Sequence, residues 1–512
     1  RYTLLATIMK SENKQAFIWA IGGSDCNAGA GIQADIKAAQ KLAVYCSTVV
    51  TAVTVQNSQG VSAINPVALE IFSGQILALA QDGLPQVIKI GLLASTEQVL
   101  WLSDWLQRLE QQNKKPQVIF DPVVVAGGGE RLTQQDTRQV LTQFLLHRVD
   151  VLTANWHEAL WLTDSQGNPD SATLLGRLQQ LPVNRVLLKG GHGPNSGQSI
   201  DWLLDKSDVL ALSAKRITGV DAHGTGCTMA SALAAALVKG LPLKEAFVLA
   251  KALVFQGIQN HLSIGDGAPK LGLQALRFSA ESFPQYYPVQ EAILPTAAFA
   301  RCNTKQLGLY PVVDSLVWVE RLLNYGVKTL QLRIKTGDMQ FISEQIRKAN
   351  QLARAHQARL FINDYWQLAI EHHCYGVHLG QEDLDSADLT AIQKAGLRLG
   401  ISTHGYYELL RAMSLRPSYI AIGAIFATNT KDMSGQIQGT EKLHHLVQLA
   451  KDYPLVAIGG INLARAPEVL STGVGSVAVV SAITQAHDPQ ESVRQFRSLL
   501  QQQGIANEPE QY

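Results

Sequence analysis

The C-terminal two-fifths of the chain repeats one pattern of apolar and polar positions eight times. Each repeat is a short apolar run that ends in polar residues or glycine and is followed by a stretch with helical periodicity. Eight such units predict a closed (β/α)8 (TIM) barrel of parallel strands. The strand ends are 310–315, 330–335, 360–364, 377–383, 400–404, 422–431, 456–461 and 477–483. Because such barrels react at the carboxyl ends of their strands, these residues should line an active site.

The segment from Phe17 to about Ile264 also alternates apolar runs with helical stretches, but without that repeat. The runs break at polar residues or glycines, which predicts an open α/β sheet with mainly parallel strands. Between 265 and 306 the periodicity fails, and we interpret this segment as a linker. The length of 512 residues supports two domains.

Charge and cysteine content narrow the functional classes. The net charge is +1 without a marked basic run, so neither nucleic acid nor a membrane surface is an expected partner. No apolar stretch approaches the roughly 20 residues that span a bilayer, and the first residues lack the layout of a secretory signal. The five cysteines are far apart, which favours a reducing compartment over disulfides or zinc. We expect a cytoplasmic enzyme.

The sharpest N-terminal motif is the turn HGTGCT at 223–228. Gly224 and Gly226 would let the backbone approach a ligand, and the helix that follows would point free N–H groups at it. Such a turn suits the charge that develops on a transferring phosphoryl group. Cys227 falls in the first helical turn, where the dipole lowers a thiol pKa, so it is a candidate general base. The alternative is a turn that only packs the helix, with an inert cysteine.

Polar residues also follow several N-terminal strands. Asp121, the pair Asn155 and Glu158, and Lys189 stand at strand ends, a set that suits a magnesium–nucleotide site. Any one of them alone would more often be a cap or turn residue. Hydrogen-bonding groups for a small polar ring come from Gly23, Asp25, Asp35 and Gln56, although Asp35 alone would be interpreted as a solvated face residue.

These motifs resemble those of hydroxymethylpyrimidine (phosphomethylpyrimidine) kinases of the ribokinase-like fold. The shared motifs are GGSD, AGIQAD, TAVTVQN, KIGLL, DPV, NxxE, KGGH and HGTGCT, in that order. The resemblance implies a kinase domain over 15–265 that phosphorylates the pyrimidine alcohol and then its monophosphate, with ATP as co-substrate, and a homo-oligomer formed through this domain. The residues it implies are Gly23, Asp25, Asp35 and Gln56 for the pyrimidine, Asn155, Glu158 and Lys189 for ATP and its magnesium, and Cys227, Gly224 and Gly226 for catalysis.

This sequence departs from the kinase pattern at three places, one of which is Ala154, where the family has proline. Ala28 stands where the family usually has glycine, and the stretch 123–128 lacks a lysine and a serine of the family. The departures suggest an alternative in which the N-terminal half binds the pyrimidine but no longer phosphorylates it.

The second barrel strand carries the strongest chemical signal of the C-terminal half. Gln331, Arg333 and Lys335 alternate, so they share the face that points into the barrel. Two buried cations need an anionic partner, and a diphosphate would be a natural one. Asp364 and Asp383 end the next two strands and could hold Mg2+ shared with phosphates. The alternative is that both carboxylates cap helices and that one of them pairs with Arg333.

A second anion site is predicted beside the first. Gly459–Gly460 ends strand seven and Val480–Ser481 ends strand eight, the usual phosphate position of this fold. One pocket with two anion sites suggests that two phosphorylated substrates are joined and that diphosphate leaves one of them.

The barrel residues resemble those of thiamine phosphate synthase. The shared motifs are GLYPVVDS, TLQLRIK, LFINDYW, GVHLGQEDL, STH, TNTK, IGGI and VAVVSAI. The resemblance implies a synthase domain over 307–502 after a linker at 266–306. It also implies Mg-dependent condensation of hydroxymethylpyrimidine diphosphate with thiazole phosphate. The implied residues are Gln331, Leu332, Arg333, Ile334, Lys335, Asn363, Ser402 and Lys431 for the diphosphate substrate, Thr428, Asn429, Thr430, Gly460, Val480 and Ser481 for thiazole phosphate, and Asp364 and Asp383 for Mg2+.

The predicted mechanism needs no side-chain nucleophile. Arg333, Lys335 and the metal would stabilise the departing diphosphate, and the thiazole nitrogen would attack the pyrimidine cation. His404 is an unlikely base on chemical grounds, because the attacking nitrogen has no proton to lose. A non-enzymatic alternative is a module that senses thiamine precursors.

Overall fold

The structure, a computed structural model, describes residues 15–124, 135–167, 169–193, 197–205, 208–264, 266–289, 297–428 and 437–505. These residues divide into two compact units, one containing the N-terminal sheet and the other the barrel. The ranges given above for the two domains and the linker stay predictions. Among the described residues, no helix combines the length and the apolar character needed to cross a membrane.

The N-terminal unit is built on a sheet of ten strands in the order β10-β9-β8-β7-β6-β5-β4-β1-β2-β3. Its strands are β1 (Phe17–Asp25), β2 (Tyr45–Gln56), β3 (Val61–Pro66), β4 (Val87–Ile90), β5 (Gln117–Phe120), β6 (Val151–Asn155), β7 (Arg185–Lys189), β8 (Gln198–Asp205), β9 (Asp208–Lys215) and β10 (Gln285–Tyr287). The six central strands, from β2 through β1 to β7, are parallel, as predicted. Antiparallel strands extend the sheet at both edges.

Helices cover this sheet. They are α1 (Gly31–Lys41), α2 (Leu69–Asp82), α3 (Thr96–Gln111), α4 (Gln135–Val140), α5 (Trp156–Leu162), α6 (Ser171–Leu178), α7 (Thr225–Val238) and α8 (Leu243–Gln259), with a π-helical turn (Leu141–Leu145) and 3-10 turns (Leu146–Arg148, Gly190–His192). Helix α7 is buried on nearly every side, and its alanines let it lie close to its neighbours. The core of this unit lies between the sheet and α3, and includes Trp19, Trp105 and Phe120.

The C-terminal unit is a closed barrel of eight parallel strands, each paired with the next, with β18 paired back to β11. The strands are β11 (Gly308–Val313), β12 (Thr329–Leu332), β13 (Arg359–Asn363), β14 (Gly376–Leu379), β15 (Arg398–Thr403), β16 (Tyr419–Ile422), β17 (Leu455–Ile458) and β18 (Ser476–Val479). The helices are α9 (Leu316–Asn324), α10 (Met339–Ala355), α11 (Trp366–Glu371), α12 (Leu389–Lys394), α13 (Tyr406–Ser414), α14 (Gly439–Leu449), α15 (Ala466–Leu470), α16 (Ser481–Thr484) and α17 (Pro489–Gln502), with a 3-10 turn (Asp383–Asp385). The α/β prediction, with an open sheet followed by a barrel, is confirmed.

Candidate active sites

A cavity of about 1160 Å3 opens at the carboxyl ends of the central strands of the N-terminal sheet. Nine of the ten residues predicted for the kinase site line it, and only Asp35 does not: the nine are Gly23, Asp25, Gln56, Asn155, Glu158, Lys189, Gly224, Gly226 and Cys227. The parallel strands bring these residues together although they are up to 204 positions apart in sequence.

The glycine turn before α7 is shaped as predicted. Gly224 has a φ of +86°, and a Cβ there would lie 1.8 Å from the carbonyl oxygen of Gly29. Only glycine fits this position. A Cβ on Gly226 would lie 3.1 Å from Nζ of Lys189, so the turn places the start of α7 beside that cation.

Lys189 is the centre of a buried charge cluster. Its Nζ lies 2.6 Å from Oδ1 of Asp121 and 3.5 Å from Oε2 of Glu158. Burial alone would lower the pKa of Lys189, but the two carboxylates outweigh it and raise that pKa. Burial raises the pKa of Glu158 to about 7, with Asp121 adding to the rise and Lys189 opposing it. Asn155 and Glu158 also cap α5 reciprocally, which fixes both side chains.

Cys227 lies in the cavity wall, but the prediction that its thiol has a lowered pKa is wrong. Burial raises the pKa of Cys227 to about 11, and the nearby cation of Lys89 opposes this only partly. A helix N-terminus stabilises a thiolate by a modest amount, whereas removing the charged form from water costs more. In the free protein, Cys227 is therefore a thiol at neutral pH.

Asp35 is neither a solvated residue nor part of the cavity wall. Its carboxylate is fully buried, 2.9 Å from Nζ of Lys89, and accepts a hydrogen bond of 2.7 Å from Ser231. Burial raises the pKa of Asp35 although Lys89 opposes the rise. Lys89 itself lines the cavity. Sequence reasoning missed it, although a lysine inside the apolar strand VIKI signals a buried partner.

Asp25 and Gln56 shape the other end of the cavity. Asp25 accepts hydrogen bonds of 2.8 Å from the backbone N–H groups of Asn27, Gly29 and Ala30, and thereby holds the loop after β1. Nε2 of Gln56 lies 2.6 Å from Nε2 of His223. Burial lowers the pKa of His223. The sequence predicts no separate role for this residue beyond its place in the glycine turn.

The loop after β1 also contains one of the three departures from the kinase pattern. Ala28 has a φ of +54°, a left-handed conformation that glycine adopts more readily. The second departure, at 123–128, extends beyond the described residues, which end at Val124 before the gap.

A further ion pair in the cavity wall was not predicted. Lys251 of α8 and Asp201 of the antiparallel strand β8 are both buried and lie 2.9 Å apart. Asp201 also accepts a hydrogen bond of 2.8 Å from the backbone of Gly190. No motif marked these residues, because the sequence analysis did not identify the β8–β9 hairpin.

At the barrel rim, Arg333 and Lys335 follow β12 instead of lying within it, and the Lys335 side chain is 51% exposed, so the prediction of two buried cations is wrong for Lys335. Lys335 lies 2.6 Å from Asp364. Arg333 is half-buried, and its guanidinium has no hydrogen-bond or ion-pair partner among the described residues. The alternative in which Arg333 pairs with one of the strand-end carboxylates is therefore not what the structure has. Gln331, Leu332, Ile334 and Asn363 are buried beside these cations.

Asp364 and Asp383 can supply magnesium ligands. Asp364 follows β13 with a φ of +66°, and Asp383 follows β14 and accepts a hydrogen bond of 2.9 Å from the Gly380 backbone through Oδ2. Oδ1 of Asp383 has no donor among the described residues. Two carboxylates suit Mg2+, which keeps waters and shares itself with substrate phosphates.

The second predicted anion site lies at the ends of β17 and β18. Gly459 and Gly460 have φ values of +106° and +63°, and a Cβ on either would lie within 2.6 Å of the loop after β16. Val480 and Ser481 begin α16 directly after β18. Thr428 is half-buried after β16, whereas Asn429, Thr430 and Lys431 lie outside the described residues.

Both halves of the chain match known protein families. Residues 25–271 match the family model of phosphomethylpyrimidine kinase, and residues 309–483 match that of thiamine monophosphate synthase. A thiamine-phosphate synthase of Yersinia pestis (strain Pestoides F) is 60% identical over 204 residues, which are 40% of this chain and 95% of that protein. A thiamine-phosphate synthase of Photorhabdus laumondii is 59% identical over 208 residues, 41% of this chain and 96% of that protein.

The chain belongs to the thiamine-phosphate synthase family. The prediction of a kinase domain fused to a synthase barrel is confirmed by the two family matches. A solved phosphomethylpyrimidine kinase from Clostridium difficile 630 is 29% identical and covers 47% of this chain and 98% of that chain, with a TM-score of 0.40. The kinase family match runs from Asp25 through the glycine turn at 223–228, so the N-terminal half does not look degenerate.

Two histidines of the synthase barrel have different surroundings. His404 at the rim lies 2.7 Å from Glu408 through Nδ1. His378 lies inside the barrel, where burial lowers its pKa to about 4, Arg333 adds to the decrease and Asp364 opposes it. The backbone N–H of Asp364 donates a hydrogen bond of 3.1 Å to the carbonyl oxygen of His378, which joins the ends of β13 and β14. Sequence reasoning missed His378, because a single histidine within a strand gives no sign of its partners on other strands.

Proposed function

We propose that this chain makes thiamine phosphate in three consecutive reactions. The N-terminal half phosphorylates 4-amino-5-hydroxymethyl-2-methylpyrimidine with ATP and then phosphorylates its monophosphate. The barrel joins the resulting diphosphate to 4-methyl-5-(2-phosphoethyl)thiazole and releases diphosphate. The observation that carries the proposal is the pair of family matches on one chain, because the kinase product is the synthase substrate.

In the kinase half, we assign the two ends of the cavity to the two substrates. The wall at Val254, Phe255 and Ile258 is apolar and suits the adenine of ATP. Gln56 and His223 offer polar groups to the pyrimidine at the other end. Between them the pyrimidine alcohol oxygen attacks the γ-phosphorus, and ADP departs.

The residues between these ends would stabilise the transferring phosphoryl group. Lys189 supplies positive charge, and the N–H groups of the turn at Gly224 and Gly226 face the same region. Mg2+ bound with the phosphates would add charge stabilisation, with Glu158 as the proposed protein contact. A thiol must lose its own proton before it can act as a base. We propose that Cys227 releases its proton to solvent once the pyrimidine and ATP with Mg2+ have bound, and that the resulting thiolate accepts the proton of the alcohol as the new O–P bond forms.

In the barrel, we propose that Arg333 and Lys335 bind the diphosphate of the pyrimidine substrate. Among the described residues, the Arg333 guanidinium has no partner to exchange, whereas Lys335 would leave Asp364 when the substrate binds. Mg2+ held by Asp364 and Asp383 would neutralise charge on the departing diphosphate. Ser402 and Asn363 would contact the pyrimidine side, and the loops at Gly460 and Ser481 would hold the thiazole phosphate. The proposed domain limits and kinase oligomer rest on the same resemblance, and the proposed cytoplasmic location rests on the pattern of the five cysteines.

The test of this proposal follows phosphorylation by the full chain. Incubation with the pyrimidine alcohol, ATP and Mg2+ should give monophosphate and then diphosphate, measured by phosphorus NMR. Cys227→Ala should lower the rate of both steps by about 100-fold and leave condensation of added diphosphate with thiazole phosphate unchanged. Failure to form diphosphate by the unaltered chain would support the alternative of a kinase half that only binds the pyrimidine.

A further inference from the structure

A continuous chain of hydrogen bonds crosses the interior of the barrel. It links five side chains from five strands: Gln331 Nε2 to Tyr310 Oη at 3.4 Å, Tyr310 Oη to Tyr419 Oη at 2.6 Å, Tyr419 Oη to His378 Nδ1 at 2.6 Å, and His378 Nε2 to Ser402 Oγ at 2.7 Å. Its two ends, Gln331 and Ser402, are both residues proposed to contact the pyrimidine diphosphate. The three side chains between them have no role in the proposed function so far.

The barrel is shaped to accommodate this chain. Tyr310 and Tyr419 are 1% and 0% exposed. A Cβ on Gly400 of β15 would lie 2.1 Å from Cζ of Tyr419, so that strand needs glycine to admit the phenol ring. Tyr310 and Tyr419 belong to the apolar cluster inside the barrel, where their hydroxyl groups would be costly to bury without hydrogen-bond partners. The hydrogen bonds are therefore needed to bury these side chains inside the barrel.

We infer the direction of the chain from the orientation of the Gln331 amide, whose Nε2 faces Tyr310, since the other three bonds can run either way. The Gln331 amide donates to Tyr310, whose only other hydrogen-bond partner among the described residues is Tyr419. Tyr310 therefore donates its hydroxyl hydrogen to Tyr419. If Tyr310 accepted hydrogen bonds from both Gln331 and Tyr419, its own hydrogen would have no acceptor. Tyr419 then donates to Nδ1 of His378, and Nε2–H of His378 donates to Ser402.

One consequence concerns the hydroxyl hydrogen of Ser402. Because Ser402 accepts from His378, its own hydrogen is left to donate to a group in the site. We propose that Tyr310, Tyr419 and His378 are positioning residues that hold Ser402 as a hydrogen-bond donor to a ring nitrogen of the pyrimidine diphosphate. The inference rests on the proposed synthase function and extends it to how the pyrimidine ring is selected.

A kinetic test uses Tyr419→Phe, which keeps the ring and removes the hydroxyl group. Loss of the oriented bond should raise the KM for pyrimidine diphosphate by about fivefold, leave kcat within about twofold and leave the KM for thiazole phosphate unchanged. The matched control is Tyr453→Phe, which loses one hydroxyl bond to the Met413 carbonyl outside this chain. An unchanged KM for pyrimidine diphosphate, with only a lower unfolding midpoint, would mean that the chain is merely structural. Tyr310→Phe should act in the same direction if Tyr419→Phe does not fold.

A second test reads the direction of the chain in the unaltered full-length protein. Nitrogen NMR of 15N-histidine-labelled protein, assigned with His378→Gln, should show the tautomer of His378 with hydrogen on Nε2. Hydrogen on Nδ1 instead would reverse the chain, make Ser402 an acceptor and overturn the inference. This result does not depend on turnover, so an inactive synthase would contradict the proposed function without deciding the direction of the chain.

Discussion

The cavity of the kinase half and the rim of the barrel both pair lysine with carboxylate, but at different depths. The side chains of Lys189 and its partner Asp121 are 10% and 2% exposed, whereas those of Lys335 and Asp364 are 51% and 30% exposed. A buried pair is held in place before substrate arrives, and removing one partner leaves an isolated charge. An exposed pair is weak and can be exchanged for substrate and metal. The kinase site is therefore preorganised by its own charges, while the rim is completed by its ligands.

The largest expected effect comes from removing the buried lysine. Lys189→Met should destabilise the N-terminal half by about 3 kcal/mol and abolish phosphorylation, because Asp121 and Glu158 lose their shared cation. Lys335→Met is the matched control and should change stability by less than about 1 kcal/mol. Urea unfolding followed by tryptophan fluorescence measures this, since six of the eight tryptophans lie in the N-terminal half. Equal losses of unfolding free energy in the two variants would contradict the claim that the buried pair is stabilising and the exposed pair is not.

The next expected effect concerns the ionisation of Cys227. With a pKa raised to about 11, its thiolate should be roughly 100-fold scarcer at pH 8 than that of a thiol at the ordinary value of 9.0. Alkylation of Cys227 by iodoacetamide, followed by mass spectrometry, should accelerate up to about pH 11, with exposed Cys26 as internal reference. The raised pKa also favours folding below pH 9, and this contribution should disappear as pH rises through 11. A rate that levels off near neutral pH would show a preformed thiolate.

Arg333→Ala tests the rim. Loss of a charge-assisted contact to diphosphate should lower kcat/KM of the condensation by at least tenfold, an effect of about 1.5 kcal/mol. Because Arg333 has no protein partner among the described residues, the unfolding midpoint should not change. Steady-state kinetics with added pyrimidine diphosphate and thiazole phosphate measure the loss. If rate and affinity both survive the substitution, the diphosphate lies elsewhere.

The smallest effect is expected at Ala28, the departure from the kinase pattern in the described loop. Ala28→Gly relieves a left-handed alanine but adds freedom to the unfolded chain, so the free energy of unfolding should change by less than about 1 kcal/mol. The KM for the pyrimidine alcohol should stay within about twofold. A large gain in phosphorylation would instead show that Ala28 impairs the kinase.

The sequence predicted the strand ends well because apolar runs that stop at polar residues mark the edge where parallel strands meet. The sequence predicted poorly which of the polar side chains are buried. The pattern around Asp35 gave no sign that this residue is buried and paired with Lys89, 54 positions later. The helix-start argument for Cys227 failed for the same reason, because burial is a property of the packed fold.

Residues on short or antiparallel elements were also missed. Asp201 lies in the antiparallel β8–β9 hairpin, which a pattern of parallel βα units does not predict. Its partner Lys251 lies in a helix, where a single lysine gives no sign that it is buried. His378 and Tyr419 lie inside apolar strands, where a single polar residue gives no direction to a partner on another strand. Such pairs become visible only when the barrel closes.

The most direct test of the account is a one-pot reaction of the full chain with pyrimidine alcohol, ATP, Mg2+ and thiazole phosphate. The account predicts thiamine phosphate and diphosphate in equal amounts, with two ADP formed for each, and with pyrimidine monophosphate and diphosphate as intermediates. Thiamine phosphate formed only when pyrimidine diphosphate is supplied, and never from the alcohol, would contradict the claim that one chain carries all three reactions.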